Sequence, residues 1–235
     1  MRIKLYFILE NNKMPIDYRK SIISFIKLSL SEYSENEFKK YYNQKDNIIK
    51  PYAFSVFFRH PQISAQEIIV EDKQFEMNMT IENYETAIIL YNAFNHQKCK
   101  KFSINQNSWT LQNIVLIPEK EIKDNKIVIK FQAPLCTRER IEKKDYYYSY
   151  EDEKFEETLK MNIKEQLKIT NIPVESVETL KITPIKAKKV IIKFYEKQIE
   201  CSTRSFALEG ELLNYLYKAG MGSKHSAGFG MFQIV

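Results

Sequence analysis

Two hydrophobic periodicities alternate along this chain in a fixed order, and the order is run through twice. "RIKLYFIL" (2–9) alternates apolar and polar residues, the period of a half-buried strand. After Pro15, the residues Tyr18, Ile22, Phe25, Ile26 and Leu30 recur at helical spacing. Ser34 followed by Glu37 forms a capping box that opens a second short helix, "ENEFKKYYNQ". "PYAFSVFF" (51–58), "EIIV" (67–70) and "FEMNMTI" (75–81) read as strands. "YETAIILYNAFN" (84–95) is an amphipathic helix, and "SWTLQNIVLI" (108–117) is a further strand.

The charged stretch "PEKEIKDN" (118–125) reads as a linker, and after it the order restarts. "KIVIKFQAP" (126–134) is a strand, "DYYYSYEDE" (145–153) a tyrosine-rich connection, and 152–170 a helix. Residues 177–198 and 199–210 read as two long strands. "ELLNYLYKAG" (211–220) is a short helix, and "GFGMFQIV" (228–235) is the last strand. Strand–helix–strand–strand–helix–strand, twice, predicts an α+β chain of two tandem ferredoxin-like domains, at 1–118 and 126–235. Such a fold hosts many functions and does not choose among them.

Composition narrows the field. Hydrophobic residues make up 44% of the chain and aromatics 13%, so it is globular. The formal net charge of +6, carried mostly by lysine, fits a polyanionic partner. Three cysteines without CxxC spacing argue against a disulfide framework and a thiolate metal site. They point to a reducing, cytoplasmic compartment. No apolar run approaches the ~18 residues of a membrane span.

The five glycines all fall in the last 26 residues, four of them in "AGMGSKHSAGFG" (219–230). A helix stop accounts for Gly220 and Gly222. Gly228 and Gly230 flank Phe229 at the predicted start of the last strand, where glycine implies close approach of another backbone. The spacing fits neither a phosphate-binding P-loop nor a dinucleotide fingerprint. It leaves a loop of backbone N–H groups with Ser223, Lys224 and His225, suited to a phosphate backbone. For His225 alone, a solvated loop position is the simpler expectation.

This glycine pattern before a final strand resembles the signature of the sixth CRISPR-associated (Cas) protein family, endoribonucleases that cut precursor CRISPR RNA within its repeats. "IIKPYAFSVFF" (48–58) is similar to the family's lysine-then-aromatic second strand, and "FQAPLCTRE" (131–139) to the segment that opens its second domain. The resemblance implies metal-independent, cofactor-free attack of a 2′-hydroxyl on the neighbouring phosphate, leaving a 2′,3′-cyclic phosphate and a 5′-hydroxyl. It implies repeat RNA as partner, effector-complex proteins as further partners, and a monomer or weak homodimer.

The resemblance also carries site residues. Lys50 stands at the family's lysine. Asn43 stands where many members have histidine, with Tyr41 and Tyr42 beside it. By position alone, Lys39, Lys40 and Lys45 surround this point as RNA contacts or as a solvated helix face, and Arg204 reads as a phosphate ligand; Gly220, Gly222, Ser223, Lys224, His225, Gly228 and Gly230 would form the RNA-binding loop. Since asparagine is no general base, three arrangements stay open. Tyrosine and lysine do the work, or His60 or His225 supplies the proton transfer, or the protein holds repeats without efficient cutting. An unrelated RNA-recognition-motif protein is a weaker alternative, because "FSVFF" lacks the glycine and basic residue of that motif.

Overall fold

The protein is described here from a computed structural model, which describes residues 1–42, 48–104 and 107–235. The chain divides into two compact units. The first comprises Met1–Pro51 and Val56–Pro118, the second Tyr52–Ser55 and Glu119–Val235.

The first unit runs β1 (Arg2–Leu9), β2 (Lys13–Pro15), α1 (Tyr18–Tyr33), α2 (Glu35–Tyr42), β3 (Tyr52–Phe58, of which Val56–Phe58 belong to this unit), β4 (Gln62–Ile63), β5 (Glu67–Ile69), β6 (Gln74–Ile81), α3 (Tyr84–His96), β7 (Lys101–Ile104) and β8 (Asn107–Ile117). Its main sheet has the order β3-β6-β1-β8-β7, and β2, β5 and β4 form a small second sheet. The order β8-β1-β6-β3 is the ferredoxin-like arrangement. Inward residues of β1 and β6 pack on α1 and α3: Phe7 stacks on Phe75 with centroids 4.6 Å apart and meets Phe25 edge-on at 5.3 Å. Trp109 closes the cluster at 5.2 Å from Phe75. The capping box forms by half: the Ser34 hydroxyl accepts from the Glu37 N–H at 3.3 Å, while the Glu37 carboxylate turns to Lys40.

The second unit runs β9 (Lys126–Phe131), β10 (Thr137–Ile141), β11 (Lys144–Tyr148), α4 (Phe155–Leu167), β12 (Lys181–Phe194), β13 (Lys197–Glu209), α5 (Leu213–Ala219) and β14 (Phe232–Ile234). Its sheet order, β12-β13-β9-β14, is again ferredoxin-like. Leu159, Ile163, Phe131, Phe206, Leu216 and Phe232 form the core between sheet and helices.

The hairpin β10–β11 departs from the sequence reading, in which the tyrosines of 145–153 belong to a connection leading into a helix. Tyr146, Tyr147 and Tyr148 lie instead on β11, paired with Glu139, Arg138 and Thr137. The turn that joins the strands carries no glycine or asparagine, so periodicity does not announce it. Its central residues, Glu142 and Lys143, both take positive φ, 47° and 68°. A two-residue hairpin turn demands that geometry, and L-residues adopt it at a cost of about 1–2 kcal/mol each. Replacing Glu142-Lys143 by Asn-Gly is therefore expected to raise the unfolding free energy by about 1 kcal/mol, read from the urea midpoint at unchanged m-value.

Candidate active site and nucleic-acid interface

In the first unit, the end of α2 and the segment before β3 bring lysines together around one tyrosine. The Tyr42 ring stacks on Phe38, one turn earlier, at 5.6 Å. Lys50 Nζ lies 4.7 Å from the Tyr42 centroid, and Lys27 Nζ, reaching from α1, lies 5.1 Å from it. Lys50 is half-buried and donates to the carbonyl of Ile48 at 3.1 Å. No ion pair among the described residues engages Lys27 or Lys50. Burial, and then the like charge of Lys27, bring the Lys50 ammonium from 10.5 down to about 8. An amine so placed exchanges protons near neutral pH, which an ordinary lysine does not.

The other residues expected around this point divide. Tyr41 is 8% exposed, its hydroxyl donates to Thr86 Oγ1 at 2.9 Å, and burial raises its pKa. It anchors α2 on α3. Lys39 pairs with Glu35 at 2.6 Å, and Lys40 with Glu37 at 2.9 Å, both as exposed ion pairs. Asn43 and Lys45 lie outside the described residues. His60 is exposed in the turn after β3, at φ 44°. Lys27 is the member that sequence reading missed. It sits on the helical face opposite the apolar stripe of α1, where a lysine looks like any solvated one.

In the second unit the glycine loop is packed, which corrects the expectation of a loop presenting free N–H groups. The Gly220 N–H bonds to Leu216 O, Met221 N–H to Gly230 O at 3.0 Å, Ser223 N–H to Cys136 O at 2.8 Å, and Gly230 N–H to Pro134 O at 2.8 Å. Gly228 and Gly230 precede β14, which starts only at Phe232, so they are not strand residues. Gly230 has φ 64°, and a Cβ there would strike the Met221 carbonyl. At Gly222, φ 82°, a Cβ would stand 2.7 Å from Cys136 O. These glycines serve close backbone approach.

His225 is likewise corrected. It is 6% exposed, and its Nδ1–H donates to the Tyr52 carbonyl at 2.9 Å, so it is a buried tether and not a solvated residue. The polar side chains that the loop leaves half-exposed include Ser223 and Lys224. Lys224 takes a left-handed φ of 58° and lays its ammonium 5.6 Å from the Phe194 ring. Burial first, and then the charge of Arg138, lower its pKa. No ion pair among the described residues engages it. Arg138 reaches over from β10, held by Asp145 at 3.4 Å, with the Tyr147 hydroxyl on the same carboxylate. Sequence reading missed Arg138 as well, because periodicity assigned no strand to 135–144 and so hid the hairpin that presents it.

Arg204 is exposed on β13 at φ 74°, opposite Ala187 and beside the register shift of the β12–β13 ladder. Of the six lysines on that hairpin, Lys181, Lys189 and Lys193 pair with Glu209, Glu200 and Glu196. Lys186, Lys188 and Lys197 join no ion pair among the described residues.

A family model described as "CRISPR associated protein Cas6, C-terminal" matches residues 117–234, half of the chain and the whole glycine loop. The chain belongs to the Cas6 family. Solved structures agree on the fold over its full length. An RAMP protein binding different RNA substrates has a TM-score of 0.87 at 19% identity, covering 100% of this chain and 99% of that one. A Cas6-related protein from Pyrococcus furiosus gives 0.85 at 21%, covering 100% and 98%. A Cas6 product complex gives 0.73 at 11%, covering 100% and 99%. At such identities the likeness concerns the fold alone. A search of curated proteins finds no match to the sequence. No helix of this Cas6 protein, among the described residues, is long and apolar enough to cross a membrane.

The packing of the Cas6 loop yields a direct test. Gly230→Ala is expected to cost at least about 2 kcal/mol of unfolding free energy, since it combines a positive φ with a backbone clash. Lys224→Ala, half-exposed and unpaired, is expected to leave the urea midpoint near that of the wild type.

Proposed function

We propose that this protein is a cytoplasmic, metal-independent endoribonuclease that cuts precursor CRISPR RNA within its repeats. The observation that carries the reading is the half-buried Lys50 amine, brought to about 8 and held with Lys27 against the ring of Tyr42. In this reading the neutral Lys50 amine takes the proton of the 2′-hydroxyl beside the scissile phosphate. The 2′ oxygen bonds to phosphorus as the bond to the 5′ oxygen breaks. The leaving oxygen takes a proton from water, and the products are a 2′,3′-cyclic phosphate and a 5′-hydroxyl. Lys27 supplies positive charge to the phosphorane, and Tyr42 fixes the two amines and offers a hydrogen bond. Ser223 and Lys224, with Arg138, bind the phosphate backbone of the repeat, and Lys186, Lys188, Lys197 and Arg204 extend that contact.

Support comes from family membership and from a site that replaces the absent histidine with a group of suitable pKa. The deciding assay is cleavage of end-labelled repeat RNA in EDTA, with a single deoxyribose at the cut site as control. Cutting that the deoxy substitution abolishes upholds the reading. Tight binding without cutting would make the protein a repeat-binding module.

Several outcomes are expected if the enzyme cuts. The single-turnover rate rises about tenfold per pH unit and levels off above about 8, as Lys50 loses its proton. Lys50→Ala lowers it roughly 10²- to 10⁴-fold. Lys50→Arg keeps the charge but removes the inflection. Lys27→Ala takes away a like charge and so moves the inflection to higher pH. Lys224→Ala weakens binding across RNA sequences and reduces the salt slope by about one.

A further inference from the structure

We propose that the open face of the first unit's sheet carries a pocket for one unpaired nucleobase of bound RNA. The proposal rests on the RNA-binding part of the preceding reading and on none of its chemistry. Alternation along the strands sends one set of side chains to α1 and α3 and the other set away from them. Phe7, Phe58 and Phe75 belong to the first set, through their ring contacts with the aromatic core or α1. Tyr6, Ile8, Phe57, Gln74 and Glu76 belong to the second.

These outward residues lie side by side because the strands do. Tyr6 stands opposite Glu76, and Ile8 opposite Gln74. Phe57 comes from the edge strand next to β6, and Gln112 from β8 on the other side of β1. Together with Arg59 and Asp72 they line a cavity of about 210 Å³. That is smaller than the roughly 300–1,000 Å³ of pockets that enclose drug-sized ligands, and it suits a single flat ring system.

The chemistry of the lining selects the occupant. Phe57 is 53% exposed and Ile8 44%, an apolar floor left open to solvent. Aromatic rings on an open four-stranded sheet are stacking platforms for unpaired bases. The amides of Gln74 and Gln112 offer donors and acceptors for base edges. The carboxylates are already engaged: Glu76 with Lys4 at 2.7 Å, and Asp72 with the Gln74 N–H at 3.1 Å. Arg59, exposed and in no ion pair among the described residues, stands where the phosphate of a seated nucleotide would need a cation. Sequence reading set aside RNA-recognition-motif chemistry because "FSVFF" lacks the linear motif. The sheet assembles the same elements from β1, β3, β6 and β8.

The test uses the full chain with two labelled probes, the host's repeat RNA and an unrelated unstructured oligoribonucleotide. Phe57→Ala is expected to lose roughly 5- to 100-fold in affinity, the range for removing one stacked base. Phe57→Tyr is expected to bind as the wild type does. Circular dichroism checks that both variants fold. Abasic sites walked along the repeat should reveal one position that weakens the wild type but weakens Phe57→Ala no further, the non-additivity of groups in contact. Phe57→Ala binding the same RNA within twofold of wild type, or abasic penalties that all add, would overturn the pocket. Should the repeat hold no advantage over the unrelated RNA while Phe57→Ala still weakens both, the pocket stands and the repeat-specific reading falls. If neither RNA binds, both are overturned.

Discussion

Closure of the second unit depends on one backbone contact. Met221 and Gly230 meet across the glycine loop, N–H to carbonyl at 3.0 Å, with no room for a Cβ at Gly230. From there Gly230 donates to Pro134 and Ser223 to Cys136, so the loop is stitched to the chain that leaves β9. That stitching aligns β14 with β9 and holds Lys224 in its left-handed conformation beside Phe194. The glycines are thus structural supports for the half-exposed Ser223–Lys224 tip.

Two amines stand apart from the other lysines. Most lysines in ion pairs are exposed or half-exposed and sit beside a glutamate, an arrangement worth little. Lys50 and Lys224 are half-buried, have a cationic neighbour in Lys27 and Arg138 respectively, and join no ion pair among the described residues. Desolvation and like charge both disfavour their protonated forms. A polyanion arriving at either place relieves that repulsion, and this is why both carry the functional reading. The cost in the free protein is the lowered pKa, which at Lys50 is the property the proposed mechanism uses.

Much of the architecture was legible because burial imposes its period on the chain. The stripe of Ile22, Phe25, Ile26 and Leu30 and the alternation of Ile3, Leu5, Phe7 and Leu9 each need one face in the core, and both are buried. The hairpin β10–β11 was not legible, because it is half-exposed and turns through Glu142 and Lys143 without a turn-forming residue. Lys50 could be located from its place before an aromatic strand. Lys27 and Arg138 could not, since their significance lies in neighbours far away in the chain. His225 failed in the opposite sense: a histidine among glycine, serine and lysine looks solvated until the fold brings the Tyr52 carbonyl to it.

Local sequence alone determined the repeated strand–helix order of the two main sheets, the tandem ferredoxin-like plan and the clustering of four of the five glycines in one loop, because periodicity and backbone freedom are properties of consecutive residues. Tertiary structure decided which lysine has its pKa brought down to about 8, which glycine N–H groups are spent internally, and which aromatics share the open face of a sheet. Those depend on desolvation and on through-space neighbours, and neither exists until strands and helices distant in sequence are packed together.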